Sequence, residues 1–205
     1  MGSEQQGFFE ATEMPSAGWW TVLWPDPAAV LNEVGLRSGM EAIDLCSGDG
    51  WFTLSMAKTA RHVVAIDIDG DLLEIGRRRL HQSGITNCDF VQGDAYEIGK
   101  LVPRGADFVL LANVFHGVPD RLRLAGAVRD ALRPNGHFAI INWHRRPREE
   151  TTILDEPRGP RSQLRMSPEQ TIEAVEGSGL RFDRIVELPP YHYGALFTRM
   201  KKAVV

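Results

Sequence analysis

The stretch Glu41-Ala42-Ile43-Asp44-Leu45-Cys46-Ser47-Gly48-Asp49-Gly50 decides how this chain is read. Ala42, Ile43 and Leu45 make its first half apolar and suited to a buried strand. Cys46 to Gly50 are small or acidic and suit a tight loop. The apolar, amphipathic run Trp51 to Ala60 then reads as a helix. In a strand–loop–helix unit of this kind, glycine lets the backbone approach a ligand and the helix start offers free N–H groups. A glycine turn in the same place also serves helix packing alone, so the loop by itself does not name a ligand.

Outward from this unit the pattern alternates. Asp26-Pro27-Ala28 opens a helix, with Asp26 as N-cap and Pro27 in the first turn, and Gly35 ends it. Strands are expected at 41–45, 62–66 (ending at Asp67), 88–92, 106–112 and 137–143. Helices are expected at 51–58, from Gly70 or Asp71 to Ser83, and at 119–132, with Pro134-Asn135-Gly136 as a stop. The near-continuous apolar run Ala106–Ala112 suits a central strand covered on both faces. Such alternation defines a parallel α/β sheet. Residues 144–166 break the pattern with Arg, Pro, Gly and acids and read as a long loop or short helical insertion on the acceptor side. Ser167-Pro168-Glu169 starts another helix, ending at Gly177 or Gly179. A strand at 181–188, a turn at 189–194 and a strand at 195–200 follow, and so short a turn forces the last two strands antiparallel.

The 205 residues suit one domain, 26–205, preceded by an N-terminal segment, 1–25. Residues 1–18 look loosely structured, and Trp19, Trp20 and Trp24 either cap the open end of the core or form a lid over the site. A net charge of −4 argues against a nucleic-acid backbone as the main partner. No apolar run is long enough for a signal peptide or a membrane span. Two cysteines, Cys46 and Cys88, make no disulfide framework and fit a cytoplasmic protein.

Several positions at strand ends agree with one nucleoside-bearing cofactor. Asp67 lies about 20 residues past the glycine loop, where an acid bonds ribose hydroxyls. Asp94, after the third strand, can accept from an exocyclic amine of adenine while the Ala95 N–H donates to a ring nitrogen, and Asn113 ends the fourth strand over the same crevice. Each acid also has a reading as a helix N-cap. The segments EAIDLCSGDG, VVAIDID, FVQGDA, FVLLANVFHGV and LRPNGHFAIINW resemble the class I S-adenosylmethionine-dependent methyltransferases, in the small-molecule methyltransferase-domain group, over roughly Asp26 to Met200. The resemblance implies a Rossmann-like three-layer sandwich, a seven-stranded mostly parallel sheet with strand 7 antiparallel. It implies S-adenosylmethionine as cofactor, S-adenosylhomocysteine as product, no metal, and a small-molecule acceptor. By the same resemblance Asp44 holds the methionine amine, and Leu45, Cys46, Gly48 and Gly50 line the methionine moiety. Asp67 holds the ribose, Ile68 packs on adenine, Asp94 and Ala95 read its edge, and Asn113 meets the amine. The family commonly has glycine where Cys46 stands and often at Asp49. The dinucleotide fingerprint of a dehydrogenase is incomplete, with Thr53 at the third glycine position.

Methyl transfer needs an acceptor held in line in a site that excludes water, and a base only when the acceptor carries a proton. His116 and His144 are therefore the candidates for base or orienting group, each with an alternative as a structural histidine. Trp20, Trp24, Tyr191, His192 and Tyr193 are the expected acceptor pocket. His144, Glu149 and Glu150 lack metal-ligand spacing, so no metal site is read there. Arg145, Arg146, Arg148, Arg158, Arg161 and Arg165 form either a solvated basic loop, partly paired with Glu149, Glu150, Asp155 and Glu156, or a clamp for an acceptor carboxylate or phosphate. A protein acceptor is disfavoured by the lack of an Asn-Pro-Pro-Tyr-type motif after strand 4. The alternative to an enzyme is a non-catalytic protein of the same fold that binds S-adenosylmethionine.

Overall fold

The structure, a computed structural model, describes residues 9–12, 14 and 17–201. In chain order its elements are α1 (Ala17–Leu23), α2 (Pro27–Glu33), β1 (Glu41–Leu45), α3 (Trp51–Thr59), β2 (His62–Asp67), α4 (Gly70–Gln82), β3 (Cys88–Gln92) and α5 (Ile98–Leu101). β4 (Ala106–Ala112), α6 (Arg121–Ala131), β5 (Leu132–Trp143), β6 (Thr152–Ile153), β7 (Glu156–Pro157), α7 (Pro168–Val175), β8 (Leu180–Leu188) and β9 (His192–Arg199) complete them. The expectation for the first residues lies partly outside the described ones.

Seven strands form one sheet in the order β3-β2-β1-β4-β5-β9-β8, all parallel except β9, which runs antiparallel to both β5 and β8. Alternation along each strand feeds two cores. Ile43, Leu45, Val109, Leu111, Phe138 and Ile140 face α6 and α7 with Leu124, Val128 and Val175. Ala42, Val63, Phe108, Leu110, Ala139 and Ile141 face α1 to α4 with Leu31, Met56 and Leu80. The result is the three-layer sandwich with both sheet faces covered.

The helix starts follow from side-chain caps. Asp26 accepts from the Ala29 N–H at 3.0 Å, and Ser167 and Gln170 form a reciprocal capping box. Asp69, not Asp67, caps α4 by accepting from Asp71 and Leu72. Asp67 is thereby freed from the capping role its position allows.

Four expectations about elements need correction. Ala17–Leu23 is a helix, although Gly18, Thr21 and Val22 favour one poorly; buried Trp20 and Leu23 hold it by packing. The turn after β8 is shorter than expected, because residues from His192 onward pair with Trp143, Asn142 and Ile141 of β5. The strand after α6 begins at Leu132, with Asn135 at φ 65° and a register break between Ala106 and Phe108 preserving the turn character of Pro134-Asn135-Gly136. The 144–166 insertion is a two-stranded hairpin, β6–β7, flanked by 3-10 turns at Arg148–Glu150 and Ser162–Leu164. Among the described residues, no helix is long and apolar enough to cross a membrane.

Candidate active site

A cavity of about 690 Å³ opens at the carboxyl ends of β1 and β4, where the strand order reverses. That switch point is where open α/β sheets take ligands. Its walls come from the loop after β1, the ends of β2, β3, β4 and β5, the N-terminal residues, and the insertion.

On one flank stand three acids, following β1, β2 and β3 in the sheet order. Asp67 accepts from the Gly48 N–H with Oδ2 (2.8 Å) and from the Asp69 N–H with Oδ1 (3.0 Å). Each oxygen keeps a lone pair for a further donor. Burial raises the Asp67 pKa above the usual carboxylate range. Asp44 is buried deeper and accepts from Thr53 Oγ1 at 2.5 Å. Burial pushes its pKa up to about 7, helped by the charges of Asp67 and Asp49. Asp94 does cap a 3-10 turn, accepting from the Tyr96 N–H at 2.9 Å with Oδ1, and still lines the cavity beside buried Ala95. Ile68 and Leu72 complete this flank.

The glycine loop divides its labour. Cys46 holds φ 58°, a left-handed conformation costing a non-glycine residue about 1 kcal/mol. Burial pushes the Cys46 thiol well above its ordinary pKa, with Asp67, Asp44 and Asp94 adding to the effect, which keeps it protonated. Gly48, at φ 54°, lines the cavity. Gly50, at φ 77°, precedes α3 and approaches Gly76 of α4, where an added Cβ would lie 3.1 Å from the Gly76 Cα. Gly50 thus serves packing, and neither it nor Leu45, buried under the sheet, lines the cavity. Asp49 turns away and pairs with Arg79 at 2.6 Å, tying the loop to α4.

Asn113 ends β4 at φ 61°, with its N–H donating to the Ile141 carbonyl at 2.8 Å. Both polar atoms of its amide are buried without a partner, as is Ser47 Oγ. Unpaired buried donors and acceptors in a cavity wall are costly. These groups, with Asp44 and Asp67, fit a ligand that carries an amine, a carboxylate and ribose hydroxyls.

His116 lines the cavity on a 3-10 turn whose carbonyls at 115 and 116 accept from Arg121. Its Nε2 lies 3.0 Å from the Ala11 carbonyl oxygen, and Nδ1 is buried without a partner. Burial lowers the His116 pKa, so the ring is neutral at pH 7. A carbonyl only accepts, so Nε2 carries the proton and Nδ1 keeps a bare lone pair. The N-terminal segment that supplies Ala11 forms part of the wall through Phe9, Glu10, Ala11, Thr12 and Met14. Phe9 meets the edge of Tyr96 at 5.9 Å.

The two histidine candidates for base or orienting group do not share the cavity. His144 Nε2 lies 2.9 Å from Glu187 Oε2 on β8, and His144 does not line the cavity. Trp24, Tyr191, His192 and Tyr193 do not line it either. Pairing of β9 with β5 draws His192 between Trp24 (4.6 Å) and Trp143 (4.1 Å). The Tyr193 hydroxyl bonds Thr171 Oγ1 at 2.6 Å, and Tyr191 bonds the Thr152 carbonyl at 2.9 Å. Trp19 and Trp20 are in the wall, together with Trp51, Phe52 and Trp143, which the sequence did not single out as site residues. Aromatics at the first turn of α3 and the last residue of β5 were a usable signal, since both positions open onto the switch point.

A family model described as "Methyltransferase domain" matches residues 36–173, and the chain belongs to that family. Its sheet order and its helices on both faces are those of the class I methyltransferase fold. The chain is similar to the demethylmenaquinone methyltransferase of Staphylococcus aureus (strain MRSA252), with 30% identity over 115 residues, 55% of this chain and 46% of that relative. It therefore spans about half the length of the curated relatives it matches. A solved S-adenosylmethionine-dependent methyltransferase from Aquifex aeolicus superposes with TM-score 0.75 at 21% identity, covering 92% of this chain and 100% of the other. The N-methyltransferase NodS of Bradyrhizobium japonicum WM9 superposes with TM-score 0.67 at 12% identity, covering 92% and 100%. At these identities the structures speak for the fold.

Proposed function

We propose that this protein transfers a methyl group from S-adenosylmethionine to a small molecule in the cytoplasm, releasing S-adenosylhomocysteine. The observation that carries the reading is Asp67, freed from helix capping and held in the cavity wall by the Gly48 and Asp69 N–H groups. When bound, S-adenosylmethionine supplies an electrophilic methyl group on a sulfonium. Asp67 receives its ribose hydroxyls, Asp94 and Ala95 its adenine edge, and Asp44 and Asn113 its amino acid end. The N-terminal segment and the tryptophans exclude water from the acceptor side. His116 is the base or orienting group, because its unprotonated Nδ1 can take a proton from an acceptor. Both cysteines are free, which fits a reducing compartment.

The test is calorimetric titration of the full chain with S-adenosylmethionine and S-adenosylhomocysteine. Micromolar binding of both is expected, and a well-folded protein that binds neither overturns the reading.

Asp44 adds a pH signature. Its folded pKa of about 7 lies above the model-compound value of 3.8, so ionising it costs stability. The ligand-free protein loses this contribution as pH rises from 3.8 through about 7. An ammonium group beside the carboxylate favours the ionised form. Binding should therefore release close to one proton at about pH 6 and little at about pH 8, over and above whatever Asp44→Asn releases. Titration in buffers of different ionisation enthalpy measures it. Equal release by wild type and Asp44→Asn would remove Asp44 from the amine site.

A further inference from the structure

The cavity is electrically lopsided. Asp44, Asp67 and Asp94 stand at the ends of β1, β2 and β3 and Glu10 belongs to the N-terminal wall, whereas Arg148, Arg158 and Arg161 enter from the insertion after β5, on the opposite side of the strand order. The expectation that Glu149, Glu150, Asp155 and Glu156 pair with these arginines is corrected: among the described residues, none forms an ion pair with any arginine of the insertion. Arg158 Nε is buried and has no hydrogen-bond partner. A buried guanidinium nitrogen without an acceptor is a costly arrangement unless a ligand supplies one.

The loop carrying these arginines is held rigidly. Arg165, 2% exposed, donates to the Pro160 and Arg158 carbonyls and to Thr151 Oγ1, and its guanidinium lies 5.1 Å from the Trp143 ring centroid. Arg158 N–H donates to the Thr151 carbonyl at 2.9 Å, and Arg148 Nε donates to the Gly159 carbonyl at 3.0 Å. Arg165 thus pins the loop with its guanidinium, which among the described residues has no carboxylate in ion-pair contact. Beside the arginines the wall is aromatic, with Trp143, Trp20 and Trp19.

Resting on the methyltransferase reading, we propose that the acceptor is an apolar or aromatic molecule bearing a carboxylate or phosphate, its anionic group seated on Arg158 with Arg148 and Arg161. Arginine's fork suits both anions, and Arg158, half-buried where Arg148 and Arg161 are exposed, is the anchor. The tryptophans cover the apolar body.

The test uses the full chain saturated with S-adenosylhomocysteine, titrated calorimetrically with benzoate, phenyl phosphate and the neutral benzamide. At least one anion should bind about tenfold or more tighter than benzamide, and Arg158→Gln should remove about tenfold or more of that affinity while leaving benzamide unchanged. The tighter of benzoate and phenyl phosphate tells carboxylate from phosphate. Arg158→Gln must retain its melting temperature and its affinity for S-adenosylhomocysteine; if it does not fold, Arg161→Gln, at an exposed position, should lose about threefold or more. Equal binding of benzamide and both anions, no loss in the variants, or no binding of any probe overturns the proposal. Failure to bind S-adenosylhomocysteine is a separate result that overturns the methyltransferase reading and this inference with it.

Discussion

Asp67→Ala should weaken S-adenosylmethionine binding by at least about 100-fold. Two ribose hydroxyls donating to one ionised carboxylate are each worth about 1.5–3 kcal/mol. The substitution also strips the Gly48 N–H of its 2.8 Å acceptor and the Asp69 N–H of its 3.0 Å acceptor. The loop that lines the methionine end therefore loosens together with the ribose contact. Asp67→Asn should also bind poorly. Its amide retains one oxygen, but its NH2 must face either the Gly48 or the Asp69 N–H, donor against donor. Calorimetry on the three proteins, with melting curves to show that each is folded, measures the effect. Affinity in Asp67→Ala within about threefold of wild type would move the nucleoside elsewhere.

Gly117→Ala should displace the N-terminal wall without unfolding the core. An added Cβ would lie 2.1 Å from the Glu10 carbonyl oxygen and about 3 Å from two more Glu10 backbone atoms. Backbone at such a distance has to move. Gly117 is buried on a 3-10 turn that packs on β5, so the yielding part is the segment around Glu10 and Ala11. His116 then loses its 3.0 Å contact to the Ala11 carbonyl, and one side of the cavity opens. The expected result is about tenfold weaker binding of S-adenosylhomocysteine and about tenfold faster proteolysis near residue 10. Gly126→Ala is the control, because nothing lies within 4 Å of its added Cβ and α6 gains a better helix former. If Gly117→Ala matches Gly126→Ala in both readouts, the N-terminal segment is no part of the binding wall.

The cofactor side of the site was legible because it is local. Each of Asp44, Asp67, Asp94 and Asn113 stands at or just past the end of a strand whose apolar run is visible, and parallel strands bring their ends to one edge. The boundaries of β1, β3 and β4 follow from the same runs. The acceptor side was legible only in part because it depends on pairing between distant segments. Nothing local to His192-Tyr193 says that these residues join β9 and enter the core. That is decided by their register with Trp143 and Asn142, about 50 residues earlier. His144 likewise meets Glu187, a partner 43 positions away. The N-terminal wall left no pattern at all. Phe9, second of a Phe-Phe pair, and Met14 stand in a polar stretch without periodicity, and their use shows only when Tyr96 and Gly48 are seen beside them.

The placement of β9 bears on how the chain reaches this state. β8 meets the rest of the sheet only through β9, and β5 keeps a bare edge until residues 192–199 reach it. That edge runs through Phe138, Ile140, Ile141 and Trp143, an apolar template of the kind that recruits foreign strands. During synthesis on the ribosome the first five strands can pair in order, but the sheet cannot close until its penultimate spatial position is filled by the strand made latest. Folding is thus held open at its C-terminal side, and a nascent chain paused near residue 190 carries the greatest exposure to misassociation.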